Sequence, residues 1–358
     1  MSTVHVVVPA GVDDPRRPSG GNTYDRRACE GLRTLGWDAL ECPVPGDWPA
    51  PDRRASEGLA QALSGMPDDA VVLLDGLVAS AVPEVLVPES GRLRQVALVH
   101  LPLGVDVPSA ATASRRRVLA REAHTLRAAR AVVVPSRWAR DWLTSTYALP
   151  AERLRVVPPG VERADPALAS AGGGRLLCVG AVTPVKGQDL LVEALASLAD
   201  LDWSCALVGS VAADPGFSGS VQMRARAGGI GARVRFTGPL VGPALRARFE
   251  GTDLLVVASR TETYGMVVTE ALARGIPVIA PAVGGLPESL GRSSDGRRPG
   301  TLVPPGDVGA LAGALREWLT DEATRARLRR AAGQRRTHLA GWSATAASLA
   351  QVLEEVAA

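Results

Sequence analysis

Of the 40 lysines and arginines in this chain, Lys186 alone is lysine. It stands in Gly180-Ala181-Val182-Thr183-Pro184-Val185-Lys186-Gly187, after an apolar run ending at Val179 and before a helical pattern. A flexible ammonium beside the unsatisfied amides of a helix start suits a phosphate. The plainer alternative is a solvent-facing helix start where lysine persisted. Asn22, the one asparagine, follows Gly20 and Gly21 after the first apolar run. Glycines there let backbone N–H groups approach an anion closely, and a following helix adds its positive end. Without a ligand the same residues read as a turn and an N-cap. Neither G-x-G-x-x-G nor a Walker A sequence is present, so the glycine pair alone is weak evidence.

Two carboxylates, Glu262 and Glu270, stand eight residues apart in Ser259-Arg260-Thr261-Glu262-Thr263-Tyr264-Gly265-Met266-Val267-Val268-Thr269-Glu270-Ala271-Leu272. A helix beginning near Gly265 leaves Glu262 in the preceding loop and carries Glu270 about two turns along. That geometry suits two separate jobs better than a coupled acid and base. A hydrolytic pair flanking a glycosidic bond is the competing chemistry, disfavoured by the nearby phosphate loop.

Loops of this kind need strands to aim them. Short apolar runs at Val4–Val8, Val71–Leu74, Val96–Val99 and Ala131–Val134 alternate with helical patterns in the first half. Arg175–Val179, Trp203–Val208, Val234–Phe236, Leu254–Val257 and Pro277–Ala280 repeat the rhythm in the second. Strand followed by helix, repeated twice over, predicts two doubly wound α/β sheets with parallel strands. The 358 residues suffice for two such domains. Pro158-Pro159-Gly160 and Ala171-Gly172-Gly173-Gly174 place the break between them. The expected domains are residues 1–168 and 169–341, with a last helix, 342–358, crossing back to the first after Gly341. Ligands of open sheets sit beyond the carboxyl ends of the strands, so two facing sheets would share one cleft.

The stretch from Glu262 to Glu270, followed by Gly275-Ile276-Pro277-Val278-Ile279-Ala280 and Gly284-Gly285-Leu286-Pro287-Glu288, resembles the retaining GT-B glycosyltransferases of family 4. The similarity runs in order through Gly20, His100, Val134-Pro135-Ser136, Pro159-Gly160-Val161, Lys186-Gly187, Phe236-Thr237-Gly238 and Leu302-Val303-Pro304-Pro305-Gly306-Asp307. It implies a GT-B fold, two Rossmann-like domains facing across a cleft, and metal-independent transfer of a hexose from a UDP- or GDP-sugar with retention. By the same resemblance Glu262 and the amides of Tyr264, Gly265 and Met266 hold the donor sugar, and Glu270 takes the ribose hydroxyls. Lys186 neutralises the diphosphate, Gly20, Gly21 and Asn22 cradle it, and His100 faces the transferred sugar. The base lies against Val208, Gly209, Gly238 and Leu240.

Two positions depart from the family. Arginine usually precedes the lysine by five residues, where this chain has Ala181; Arg260 and Arg137 are the nearest candidates to compensate. Tyr264 replaces the more common phenylalanine. Ala181 keeps open a nucleotide-sugar-binding protein without turnover, and a nucleotide-sugar epimerase would share the fold.

Composition bounds the rest. No apolar run is long enough to span a bilayer and the N-terminus lacks a secretory layout, which points to the cytoplasm. A net charge of +3 is too small to argue for nucleic acid. The cysteines lack metal or disulfide spacing, no cofactor or metal is expected, and His5, His124 and His338 show no ligand pattern. Ser114 to Arg117 with Arg121, Arg127 and Arg130 form either a weak membrane-surface patch or a solvated helix face. Trp48, in the proline-rich loop Pro43 to Pro51, is a candidate for the acceptor side. The acceptor, a small molecule or a lipid, and the oligomeric state are not written in these motifs.

Overall fold

The computed structural model describes residues 2–106 and 112–358. The chain divides into two compact units. Met1–Asp13, Gly20–Gly160 and Ala340–Ala358 form the first; Asp14–Ser19 and Val161–Leu339 form the second.

In the first unit six strands, β1 (Thr3–Pro9), β2 (Asp38–Val44), β3 (Val71–Asp75), β4 (Arg94–Leu98), β5 (Ala131–Val134) and β6 (Leu154–Val156), form one sheet. Their order is β2-β1-β3-β4-β5-β6, all parallel. The central strands are apolar throughout because both faces are covered. Along β3, Val72 and Leu74 pack on one side with Leu59, Leu63, Leu126 and Leu143. Val71 and Leu73 pack on the other with Tyr24, Leu32, Leu349 and Leu353.

The last two of these belong to the C-terminal helix Trp342–Ala357, which packs on helix Gly20–Thr34. The approach is close: a Cβ at Gly31 would lie 2.4 Å from that of Ala346. Thr345 Oγ1 donates to the Pro158 carbonyl at 2.9 Å, fastening the start of the helix to this unit. Gly341 ends the preceding irregular stretch with extended backbone, releasing the chain into its final helix.

The second unit holds β7 (Arg175–Val179), β8 (Ser204–Val208), β9 (Val234–Gly238), β10 (Leu254–Val256), β11 (Val278–Pro281) and β12 (Gly300–Val303). The order β12-β11-β10-β7-β8-β9 is again parallel. Alternate residues face opposite layers here too, Leu254 and Val256 one way and Leu255 the other. The strand order reverses between β7 and β10, which makes the crevice beyond their carboxyl ends the expected ligand position.

The apolar runs find every strand of both sheets except β2, β6 and β12, and all three are sheet edges. An edge strand is half solvated and needs no continuous apolar run. Accordingly β2 reads Asp-Ala-Leu-Glu-Cys-Pro-Val, with exposed Asp38, Leu40 and Pro43 set among buried and partly buried residues.

Candidate functional site

The second unit places Lys186 and Glu262 on the loops that follow β7 and β10, the two strands flanking the reversal of order. Lys186 Nζ donates to Glu262 Oε2 at 2.6 Å. Residues 76 positions apart in sequence thus form one ion pair at the switch point.

Each loop is held by specific contacts. Buried Gln188 donates through Nε2 to the Ala181 carbonyl at 3.0 Å, and its Oε1 accepts from Thr183 N at 3.4 Å. The Arg260 amide donates to Val185 O at 2.7 Å. The Arg260 guanidinium binds Pro184 O at 2.6 Å and both oxygens of Asp189 at 2.8 and 2.7 Å. Burial pushes the Asp189 carboxyl up, but the Arg260 guanidinium outweighs it and holds the group below its ordinary value. Arg260 therefore stitches the two loops together with its charge committed to Asp189. The expectation that it stands in for the missing arginine at Ala181 is not supported by this arrangement. Arg137 lies in the first unit, at the start of helix Arg137–Tyr147.

Lys186 also differs from its expected setting. It does not open an α-helix but closes a single 3-10 turn, Pro184–Lys186, and the helix Gln188–Ala196 starts only after Gly187. Gly187 is left-handed, with φ +66°. This reversal separates the lysine's turn from the helix axis.

Glu262 owes its position to a glycine pair. Gly284 has φ +57°, and a Cβ there would lie 1.7 Å from the Glu262 carbonyl. The next amide, Gly285 N, donates to that same carbonyl at 2.9 Å. Only residues without side chains let this segment lie flush on the carboxylate-bearing loop. Tyr264 and Gly265 follow, and the helix begins at Met266, as the spacing predicts.

Glu270, in that helix Met266–Leu272, is partly buried, and burial pushes its carboxyl up to about 7, with Arg274 pulling the other way. Arg274 gives it no side-chain bond; its Nη1 donates to the Glu270 main-chain carbonyl at 2.8 Å and its guanidinium lies 4.8 Å over the Phe249 ring. Burial also pushes Tyr264 up to about 12, and its charged neighbours are Arg335 and Glu288. Val208 and Gly238 end β8 and β9, Gly209 N donates to Gly238 O at 3.0 Å, and Leu240 packs against the layer containing Phe249. Lys186, Glu262, Val208 and Gly238 thus lie at or beyond the carboxyl ends of strands of one sheet.

The remaining candidates lie in the first unit. Gly20, Gly21 and Asn22 are the first residues of helix Gly20–Thr34 rather than a loop ahead of it. His100, just past β4, lies beside them, with its Cδ2 2.9 Å from where a Gly21 Cβ would stand. The imidazole Nε2 is 2.8 Å from Asp25 Oδ1 and 3.8 Å from Asp75 Oδ2, and the Tyr24 ring is 5.0 Å away, centre to centre. Asp25 and Asp75 escaped the motif reading because their partner is far away in sequence. The usable signal was position: Asp75 ends β3, as His100 follows β4, both at carboxyl ends.

Other expectations fall as follows. Cys29, Cys42, Cys178 and Cys205 are free thiols. Among the described residues no helix is long and apolar enough to cross a membrane. In the arginine-rich helix Thr112–Ala128, Arg121 pairs with Glu84 and Arg127 donates to Tyr147 O, whereas Arg116 and Arg117, and Arg130 just beyond the helix, are exposed; the Ser114 side chain lies outside the described residues. Trp48 is half-buried and donates to Val44 O at 3.3 Å, which makes it part of its own loop's packing.

Comparison with known proteins follows the same division. The family described as Glycosyl transferases group 1 matches residues 165–335, and that described as Glycosyltransferase Family 4 matches residues 76–165. A D-inositol 3-phosphate glycosyltransferase of Jonesia denitrificans is 30% identical over 267 residues, covering 69% of this chain and 62% of that protein. One from Streptomyces avermitilis is 36% identical over 231 residues, covering 59% and 49%. The matched stretch thus spans between about half and three fifths of these relatives' length. Among solved structures, a sucrose-phosphate synthase from Thermosynechococcus elongatus superposes with a TM-score of 0.78 at 23% identity, covering 99% of both chains. HepE from Anabaena, solved in complex with UDP-glucose, gives 0.78 at 17% identity over 99% of this chain and 100% of its own. These likenesses show the fold, two Rossmann-like sheets of the GT-B type.

Proposed function

The chain belongs to the glycosyltransferases of group 1 and family 4, and from that membership we propose that it moves a hexose from a UDP- or GDP-sugar to an acceptor, with retention and without a metal. The observation that carries this reading is the 2.6 Å pair of Lys186 and Glu262 beyond β7 and β10. A sugar diphosphate offers each partner something better. Its phosphates replace the carboxylate as the lysine's counter-ion, and Glu262 is released to accept from sugar hydroxyls, with the amides of Tyr264, Gly265 and Met266 alongside. Glu270, whose carboxylate accepts no hydrogen bond among the described residues, takes the two ribose hydroxyls, and the base lies along Val208, Gly209, Gly238 and Leu240.

In this mechanism the bond from the anomeric carbon to the phosphate oxygen loosens while the acceptor oxygen approaches from the same face. The acceptor proton passes to the departing phosphate, so no protein nucleophile is required. Lys186 stabilises the negative charge as it develops on the leaving group. Lys186→Ala and Glu262→Ala each lower kcat/KM for transfer or donor hydrolysis by on the order of 10²-fold. Wild-type values in both variants refute the assignment, and a loss of activity in EDTA restored by magnesium refutes the metal-free mechanism.

Ala181, together with the commitment of Arg260 to Asp189, favours a second reading, a nucleotide-sugar binder with slow or no turnover. Donor binding by calorimetry without transfer to any acceptor or hydrolysis distinguishes it.

A further inference from the structure

Two carboxylates and one imidazole come together in the first unit, with one oxygen of each carboxylate and one ring nitrogen all within 4.8 Å of one another. Asp25 is 3% exposed and Asp75 5% exposed. Asp75 Oδ1 accepts from Leu77 N at 2.9 Å, whereas Asp25 Oδ2 is buried with no hydrogen-bond partner. His100 directs Nε2 to Asp25; its other nitrogen, Nδ1, has no partner among the described residues, and its side chain is 18% exposed.

We propose that Asp25 is a positioning residue for His100: it anchors Nε2 inward and, with Asp75, keeps the imidazole cationic, so that Nδ1–H is the donor presented to ligand. The role toward a sugar rests on the function proposed above; the charge state does not.

The argument is one of compensation. A buried carboxylate oxygen with no N–H or O–H partner is costly unless a cation stands beside it. With Asp75 ionised, a neutral His100 would leave two carboxylates facing each other with no charge between them. Protonation places a positive charge 2.8 Å from one and 3.8 Å from the other. Burial pulls the imidazole's proton affinity down, but the charge and hydrogen bond of Asp25, with Asp75 behind them, raise it above the ordinary histidine value. Burial, the Asp25 charge and a hydrogen bond that a protonated Asp75 can give to Asp25 likewise raise Asp75, opposed by the His100 cation and the Leu77 amide. The other titratable groups nearby on the Gly20–Thr34 helix are Tyr24, whose hydroxyl is committed to Val157 O, and Cys29, which feels the Asp25 charge. The trio therefore carries a net charge of zero when Asp75 is protonated and minus one when it is ionised. It can donate a hydrogen bond to a sugar oxygen without setting a net positive charge against an oxocarbenium-like centre.

The test is 15N imidazole spectroscopy of the full chain across pH, with the His100 signals assigned by their loss in His100→Gln. In the wild type both ring nitrogens of His100 are protonated at pH 7, and in Asp25→Asn the titration midpoint falls by at least about one pH unit, a tenfold loss of proton affinity. A wild-type His100 that is neutral at pH 7, an unchanged midpoint in Asp25→Asn, or signals that shift on dialysis against EDTA each overturn the proposal. The wild-type measurement decides even if Asp25→Asn does not fold. Where a donor is turned over, Asp25→Asn lowers kcat by about 10- to 100-fold with donor KM nearly unchanged, and the acid limb of the pH profile moves down with the midpoint. If the wild type turns over no donor, the proposed function fails while the spectroscopy still decides the state of His100.

Discussion

Gly284→Ala isolates how the carboxylate-bearing loop is held. The new Cβ would start 1.7 Å from the Glu262 carbonyl oxygen. Ordinary C···O contacts are about 3.3 Å, so the two segments must part by about 1.6 Å. Alanine at φ +57° adds about 1 kcal/mol of left-handed backbone strain. Losing the Gly285 N to Glu262 O bond costs about another 1 kcal/mol. With incomplete relaxation of the clash, a total of about 2–4 kcal/mol lowers the melting temperature of the second unit by about 4–16 °C. Because Glu262 rides on the displaced carbonyl, turnover falls by on the order of 10²-fold beyond any loss of folded protein. Calorimetry and initial rates at matched folded concentration measure the two effects. The control is Gly313→Ala, on the exposed face of helix Val308–Thr320 with nothing within 4 Å of the new carbon. It should stabilise by about 0.5–1 kcal/mol and leave activity unchanged. A Gly284→Ala protein with the wild-type melting temperature and activity within about twofold refutes the reasoning.

Other consequences can be measured separately. Glu270 is raised to about 7 from an ordinary 4.5, so between those values the folded state binds more protons than the unfolded and stability falls as pH rises. Donor binding needs the ionised carboxylate, so affinity strengthens as pH rises through 7 and levels off above it. Glu270→Gln flattens that dependence while weakening binding, and calorimetric titration from pH 6 to 8 shows both. Ala181→Arg restores a second cation near Lys186 and raises kcat severalfold, by about 1 kcal/mol of transition-state stabilisation; a fall in both kcat and donor affinity contradicts the diphosphate assignment. Leu349→Ala empties a fully buried position under helix Gly20–Thr34. It destabilises the first unit by about 2–5 kcal/mol, read as a lower first transition in calorimetry.

The sequence carried the interior of the fold and lost its margins. β3 and β5 are unbroken apolar runs because helices cover both faces, whereas β2, β6 and β12, at the edges, have no such constraint and no such signature. Lys186 and Glu262 were legible because each stands alone in a short loop of recognisable order. Their pairing was not, since it depends on β7 and β10 being neighbours although Val179 and Leu254 stand 75 positions apart in the chain. Asp25 and Asp75 were hidden for the same reason. No spacing links them to His100, and only the parallel register of β3 and β4 with the helix after β1 brings them together. Gly284 and Gly285 stood in the sequence only as part of the stretch that carries the resemblance, and only the three-dimensional contact shows them shaping the seat of Glu262.

The most direct test is a crystal structure of the full chain with the nucleotide sugar that most raises its melting temperature among UDP-glucose, UDP-GlcNAc, UDP-galactose and GDP-mannose. The account predicts phosphate oxygens within about 3 Å of Lys186 Nζ, Glu262 turned from the lysine onto the sugar, and Glu270 on the ribose. A ligand bound elsewhere, with Lys186 and Glu262 still paired, contradicts it.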